Sequence, residues 1–385
     1  MMTPAASQDA RNRMTAAMAS GGALSSPAWT TAFASVPREV FAPSFSLHTE
    51  DGERTYHQES PEFLDACYTD TSLITQRDTA GTPISSSSAP SLMARMLEAF
   101  TVSRGDRVLE IGTGTGYNTA LLCHHLGSDS VTSVDIDPGL TVAARDKLAR
   151  LGYGPTINTG DGTAGYQERA PYDGILATCG VRRIPAAWLA QTRPGGIIVT
   201  NIGTGIVRLT VEGNGAAAGA FLPDSASFMI ARPAADHVAH TAPAYTGLIM
   251  NAEGRSRTQP IPEVSDGAGD YLDDLMRAEA LEVSLNQLGV LAMTLIDKER
   301  GRKICGLIHP ATSSWARVTL AGETTVTIEH GGPLDLAAER LELFAQWIRA
   351  GRPGPGNYGL AVGTDGVHTL WRDAETDRQS WVLPS

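Results

Sequence analysis

Gly112, Gly114 and Gly116 stand at Gly-x-Gly-x-Gly spacing in Val108-Leu-Glu-Ile-Gly-Thr-Gly-Thr-Gly-Tyr117. Glycine has no Cβ, so a turn of this kind lets the backbone come close to a ligand. A dinucleotide fingerprint places its third glycine one residue later and a diphosphate on the helix N-terminus. Glu110, just before the turn, favours a cation or an ammonium group instead. Asp135 ends the next apolar run, about twenty residues on, where a carboxylate can accept both ribose hydroxyls. Asp161-Gly162 follows a third run, and carboxylate plus backbone there can read an adenine edge. Ammonium, sulfonium, ribose and adenine are the parts of S-adenosylmethionine. The reading therefore assigns that cofactor to Glu110, Gly112, Thr113, Gly114, Gly116, Asp135, Asp161 and Gly162.

A second set of residues could handle a substrate. Ser85 to Ser88 form an unbroken serine run ahead of Pro90. A hydroxyl there can donate a hydrogen bond to a bound ligand, and which serine points inward stays open between Ser88, Ser87 and Ser86. Tyr68 either lines the substrate cleft or anchors a loop. Arg182 and Arg183 follow a strand, where α/β enzymes present ligand-contacting residues, and Arg182 is taken as substrate-binding. Arg95 reads as a solvated helix position, and His57, His124 and His125 as surface residues.

These residues need elements to hold them. Residues 107–111, 131–135, 156–159, 173–177 and 197–200 read as buried strands, alternating with helices over 117–126, 138–151 and 185–191. Such alternation predicts a Rossmann-like α/β domain over 101–205. Ahead of it, residues 1–100 read as an N-terminal helical and substrate-loop region, with helix broken at Pro37, loop over 48–82 and helix again from Pro90. Behind it, 206–385 reads as an α+β extension for substrate recognition. Strands are predicted there over 207–211, 316–320 and 324–329, and helices over 271–280 and 334–350.

At 385 residues two or more domains are the prior expectation. The formal net charge is −12, with no basic cluster, which argues against a nucleic-acid substrate. No apolar run reaches the roughly 20 residues of a membrane span, and the N-terminal stretch lacks the apolar core of a signal peptide. Cys67, Cys123, Cys179 and Cys305 show neither disulfide nor zinc spacing, so no metal and a cytoplasmic setting are expected.

Several stretches resemble protein-L-isoaspartate O-methyltransferases: Val36-Pro-Arg-Glu-Val-Phe-Ala-Pro43, Tyr68-Thr-Asp70 with Leu73, Ser88-Ala-Pro-Ser-Leu-Met-Ala-Arg-Met96, and the glycine turn. The resemblance covers roughly residues 10–205 and implies a class I methyltransferase fold. Its active-site hydroxyl falls on Ser88, which the resemblance implies as the catalytic residue, donating to the carboxylate oxygen that is not attacking and so orienting the nucleophile without quenching it. The segment between Leu73 and Ser88 and the long C-terminal extension depart from the small repair enzymes. Together with Val131-Thr-Ser-Val-Asp-Ile-Asp-Pro138, Ala177-Thr-Cys179 and Ala187-Trp-Leu-Ala-Gln-Thr-Arg-Pro-Gly-Gly196, both are similar to the subgroup associated with ATP-grasp-modified ribosomal peptides (graspetides). That likeness implies methylation of an Asp side chain in a pre-cyclised peptide made by an ATP-grasp ligase, the ester then closing to an aspartimide. The alternatives are isoaspartate repair and a non-catalytic peptide-binding partner.

Overall fold

The computed structural model describes residues 3–49, 52–79, 81–232, 242–261, 272, 275, 280–373 and 378–384. The N-terminal part opens with α1 (Pro4–Ser20), α2 (Pro27–Ser35) and α3 (Arg38–Phe41). There follow β1 (Ser44–Thr49), β2 (Gly52–His57), α4 (Phe63–Cys67), β3 (Leu73–Arg77), β4 (Pro83–Ser87) and α5 (Pro90–Ala99). The four strands form a sheet ordered β2-β1-β3-β4. The segment predicted as loop over 48–82 thus contains most of a sheet, and the serine run ends as its edge strand. Polar residues hid it: in β2 only Tyr56 is buried. The four-residue helix α3 also forms between Pro37 and Pro43, where none was predicted.

The middle region has β5 (Val108–Ile111), α6 (Tyr117–Leu126), β6 (Val131–Asp135), α7 (Pro138–Arg150), β7 (Thr156–Thr159), β8 (Tyr172–Val181), α8 (Ala186–Gln191) and β9 (Thr192–Ile202). Local chemistry fixes these joints. Asp137 caps α7, its Oδ1 accepting from Gly139 N at 2.7 Å and Leu140 N at 3.2 Å, with Pro138 in the first turn. The parallel order β7-β6-β5-β8-β9 reverses direction around β5, so the turn after β5 lies at a topological switch point.

Beyond residue 205 the same sheet continues. β10 (Gly205–Val211) pairs antiparallel with β9, and β11 (Ala217–Ser225) with β10. The chain then builds α9 (Thr246–Asn251), β12 (Arg255–Pro260), α10 (Leu281–Asn286), β13 (Leu291–Asp297), β14 (Arg302–His309), β15 (Ser314–Leu320), β16 (Thr325–Gly331) and α11 (Leu336–Arg349). Strands β12 to β16 make a separate five-stranded antiparallel sheet, whose apolar face (Leu307, Val318, Ile328) packs with Leu341 and Phe344 of α11. Finally β17 (Tyr358–Val362), β18 (His368–Asp373) and β19 (Arg378–Val382) return to β11, giving one ten-stranded sheet. The α+β character of the extension matches the expectation, but its last strands belong to the central sheet. Apart from Leu272, Leu275 and Ala280, the stretch predicted as helix over 271–280 lies outside the described residues. Among the described residues no helix is long and apolar enough to cross a membrane.

Candidate active site

A cleft of about 1250 Å³ opens at the switch point, lined by the serine run, the glycine turn, the ends of β6 and β8, and residues 227–232. Gly112 (φ +93°), Gly114 (φ +51°) and Gly116 (φ +89°) all take left-handed backbone conformations. A Cβ on Gly112 would stand 2.8 Å from Thr178 Oγ1. The Thr178 hydroxyl donates to the carbonyls of Gly112 (2.7 Å) and Ile111 (3.2 Å), pinning the turn from β8. Asp135 pins it from β6: its Oδ2 accepts from Gly114 N at 2.7 Å and its Oδ1 from Asp137 N at 3.0 Å. Burial holds its pKa above the usual carboxylate range despite those bonds. Thr113, Gly114, Asp135 and Gly162 all line the cleft. A Cβ on Gly162 would stand 2.4 Å from Ile111 Cγ2.

Two acidic residues stand elsewhere than the sequence suggests. Glu110 lies beneath the turn rather than in the cleft wall. It is fully buried, and accepts from Asn118 Nδ2 (2.7 Å), Ser133 Oγ (2.6 Å) and Thr119 Oγ1. Both faces of β5 are covered, and its third residue connects to cleft-lining residues through Asn118 directly and through Ser133 to Thr113. Burial pushes the Glu110 carboxyl up to about 7. Asp161 caps the short turn Gly162–Ala164, accepting from Thr163 N (2.8 Å) and Thr163 Oγ1 (2.7 Å), outside the lining residues.

The cleft still fits a ligand with donors and a positive charge. Tyr117 Oη and Asn118 Oδ1 are buried without a hydrogen-bond partner among the described residues, and both residues line it. Asn118 Oδ1 is an acceptor beside the glycine cradle, suited to an ammonium group, and buried polar groups are rarely left unpaired.

Ser85, Ser86, Ser87 and Ser88 also line the cleft, with Ser85 and Ser87 buried and the Ser85 hydroxyl accepting from Thr75 Oγ1 at 3.3 Å. A feature the sequence reading missed organises them. Arg38, fully buried in the Val-Pro-Arg stretch, donates to five carbonyls: Cys67 (2.7 Å), Thr69 (3.1 Å), Thr71 (3.1 Å), Ser87 (3.2 Å) and Ser88 (2.9 Å). One guanidinium thus ties the chain after α4 to the end of β4. Burial pulls its pKa down. Tyr68 belongs to the same buried framework and not to the cleft. Its hydroxyl donates to Glu39 and accepts from Arg38 N at 3.1 Å. The anchoring alternative for Tyr68 is the one observed.

The remaining wall comes from the stretch after β11. Met229 and Ile230 line the cleft while 41% and 47% exposed, followed by Arg232. No motif marked this segment in the sequence. Arg182 lies outside the cleft lining, exposed just beyond β8. Arg183 is used structurally, donating to the carbonyls of Pro384 (2.9 Å) and Gly366 (3.0 Å). Arg95, read as solvated, pairs with Asp224 at 3.1 Å.

Residues 9–214 match the family described as Protein-L-isoaspartate(D-aspartate) O-methyltransferase (PCMT). The chain belongs to this family. Similar proteins include a protein-L-isoaspartate O-methyltransferase of Ignicoccus hospitalis, 39% identical over 166 residues, covering 43% of this chain and 68% of the relative. One from Anaeromyxobacter dehalogenans is 45% identical over 118 residues, covering 30% of this chain but only 56% of the relative. A solved structure titled protein-L-isoaspartate O-methyltransferase aligns with 94% of this chain and 100% of its own length, at TM-score 0.54 and 23% identity. This chain is accordingly a carboxyl O-methyltransferase on the class I fold, with S-adenosylmethionine as cofactor. The alignment over 94% of this chain shows that the fold of the extension also occurs in that solved structure.

Proposed function

We propose that this enzyme methylates the free carboxylate of an isoaspartyl residue in a peptide or protein. The observation that supports this reading is the family match over residues 9–214, within which the serine run and the glycine turn face each other across one cleft. The cofactor supplies an electrophilic methyl group, and the rest of the work falls to the chain. A carboxylate with an ordinary pKa near 4 is ionised at neutral pH and needs no general base. What it needs is alignment and removal of water. Ser88, with its carbonyl held by Arg38, would donate its hydroxyl to the non-attacking carboxylate oxygen. Thr113, Gly114, Asp135 and Gly162 would hold the cofactor, with Asn118 accepting from its ammonium end and Glu110 fixing Asn118 from below. The following backbone amide nitrogen then attacks the ester carbonyl, methanol leaves, and a succinimide forms.

A second reading keeps the same chemistry and changes the substrate. An Asp side chain in a pre-cyclised ribosomal peptide, the product of an ATP-grasp ligase, would be methylated and closed to an aspartimide. What favours it is the serine run, all four residues of which line the cleft, in the Leu73–Ser88 segment whose sequence is similar to the peptide-tailoring subgroup. Mass spectrometry of matched peptides separates the two. Isoaspartyl, aspartyl and pre-cyclised aspartyl peptides are incubated with enzyme and cofactor. A transient methyl ester followed by net loss of water on the isoaspartyl peptide supports repair. The same sequence confined to the cyclised aspartyl peptide overturns it in favour of tailoring.

A further inference from the structure

We propose that the C-terminal rim of the cleft is an anion-recognition site, built from Arg182 and Arg232, that selects peptides with acidic residues beside the methylated carboxylate. The inference rests on the reading that a peptide carboxylate is the methyl acceptor. It begins with backbone geometry. The stretch after β11 is fastened at residue after residue: Ala226 N donates to Thr204 O at 2.8 Å, Asn201 Nδ2 to Ala226 O at 2.9 Å, Gly180 N to Met229 O at 2.9 Å, and Ala231 N to Gly180 O at 2.8 Å. Gly180 and Ile230 form a parallel bridge. Only a glycine permits it, since a Cβ there would stand 3.0 Å from Ile230 Cδ1 and 2.8 Å from Asn201 Oδ1. Arg182, at the bend that ends β8, and Arg232 each stand two residues beyond a bridge partner, so the paired segments carry both arginines at the same end.

Neither arginine makes a hydrogen bond or ion pair with any described residue, whereas Arg183, between them in sequence and fold, is fully engaged. Arg232 lines the cleft, and its charge reaches Asp135. Arg182 opens over Gly289, where a first side-chain carbon would meet Arg182 Nη1 and His309 Nε2, each at 3.3 Å. Gly289 therefore keeps a small space clear between a guanidinium and an imidazole. With a net charge of −12, the protein as a whole repels acidic peptides. The two guanidinium groups, without a hydrogen-bond or ion-pair partner among the described residues, supply positive charge there, and their planar forks match carboxylates. Arg232 lies outside the residues matched to the family, 9–214, and Arg182 within them, so the site would join the family region to the extension.

The test uses isoaspartyl peptides identical except for Glu or Gln at the flanking positions. Wild-type kcat/KM is expected to favour the Glu-flanked peptide about tenfold, mainly through KM, with the preference shrinking as salt is raised. R182Q/R232Q is expected to abolish the preference, and R182K/R232K to retain most of it. Equal use of both peptides by the wild type, or a preference that survives R182Q/R232Q, overturns the site. A second arm needs no turnover: fluorescence anisotropy with labelled peptides carrying Gly in place of the isoaspartyl residue. If no peptide is methylated but wild type binds the Glu-flanked probe more tightly than R182Q/R232Q does, the substrate reading fails and the rim stands. Equal binding overturns the rim whatever the turnover.

Discussion

The two ends of the cleft are built on opposite terms. At the glycine turn the charged and backbone groups are largely spoken for: Glu110 takes three side-chain donors, Asp135 two backbone N–H groups, and Thr178 clamps two carbonyls. At the C-terminal rim the backbone is equally fixed, but Met229 and Ile230 are half exposed and Arg182 and Arg232 have no partner among the described residues. A pocket arranged before its ligand arrives loses little entropy on binding. That suits a cofactor of constant shape. The rim leaves its side chains to be ordered by whatever substrate comes, which suits selection among sequences.

The sharpest way to break this contrast is Gly112→Ala. The new Cβ would stand 2.8 Å from Thr178 Oγ1 at φ +93°, so both sterics and backbone conformation oppose it. Cofactor affinity, measured by calorimetry, is expected to fall about 100-fold, or about 3 kcal/mol, in a protein that keeps its circular dichroism. Unchanged affinity would mean the turn is pliable and the two ends alike. Glu110→Gln probes the buried support below it. Burial raises the Glu110 pKa from 4.5 to about 7 in the folded state. The folded chain therefore binds that proton more tightly than the unfolded chain. Its stabilising contribution is complete below the unfolded pKa and disappears as pH rises through the folded one. Between about pH 5 and pH 8 the wild type is expected to lose on the order of 2–3 kcal/mol relative to Glu110→Gln, read from denaturant melts. A constant difference across that range would show Glu110 ionised throughout.

How far the sequence revealed this molecule depends on the kind of signal. The alternation of the middle region was legible because parallel strands are buried on both faces, and helix α6 and strands β6 and β7 have the predicted bounds. The glycine turn was legible because positive φ leaves its mark on residue type. The N-terminal sheet was not, since strands such as β2 bury a single aromatic and otherwise look like loop. Nor could the sequence place β17 beside β11, a pairing between distant segments with no local pattern. In the site, residue type indicated chemistry but not direction. Glu110 and Tyr68 have the right groups and point into the framework, Asp161 caps its own turn, and Arg232 lines the cleft two residues beyond the Gly180–Ile230 bridge, which no motif announces.

The smallest expected effect falls where the two ends meet, on the serine wall. Ser88 has its carbonyl fixed by Arg38 at 2.9 Å and stands just before the first turn of α5, so its backbone is as rigid as the glycine turn. Its hydroxyl makes no hydrogen bond with a described residue, which likens it to the rim. A hydroxyl that only lines the wall could be removed with little consequence. One that orients a carboxylate contributes a charge-assisted hydrogen bond worth about 1.5–3 kcal/mol. Ser88→Ala is therefore expected to lower kcat about 30-fold while cofactor affinity stays within about twofold. Ser87→Ala, the neighbouring alternative, serves as the comparison in the same assay. If Ser87→Ala carries the loss and Ser88→Ala does not, the orienting hydroxyl sits one residue earlier, on β4 itself. If both turn over normally, the serine strand is wall alone, and selection of the carboxylate passes to the rim.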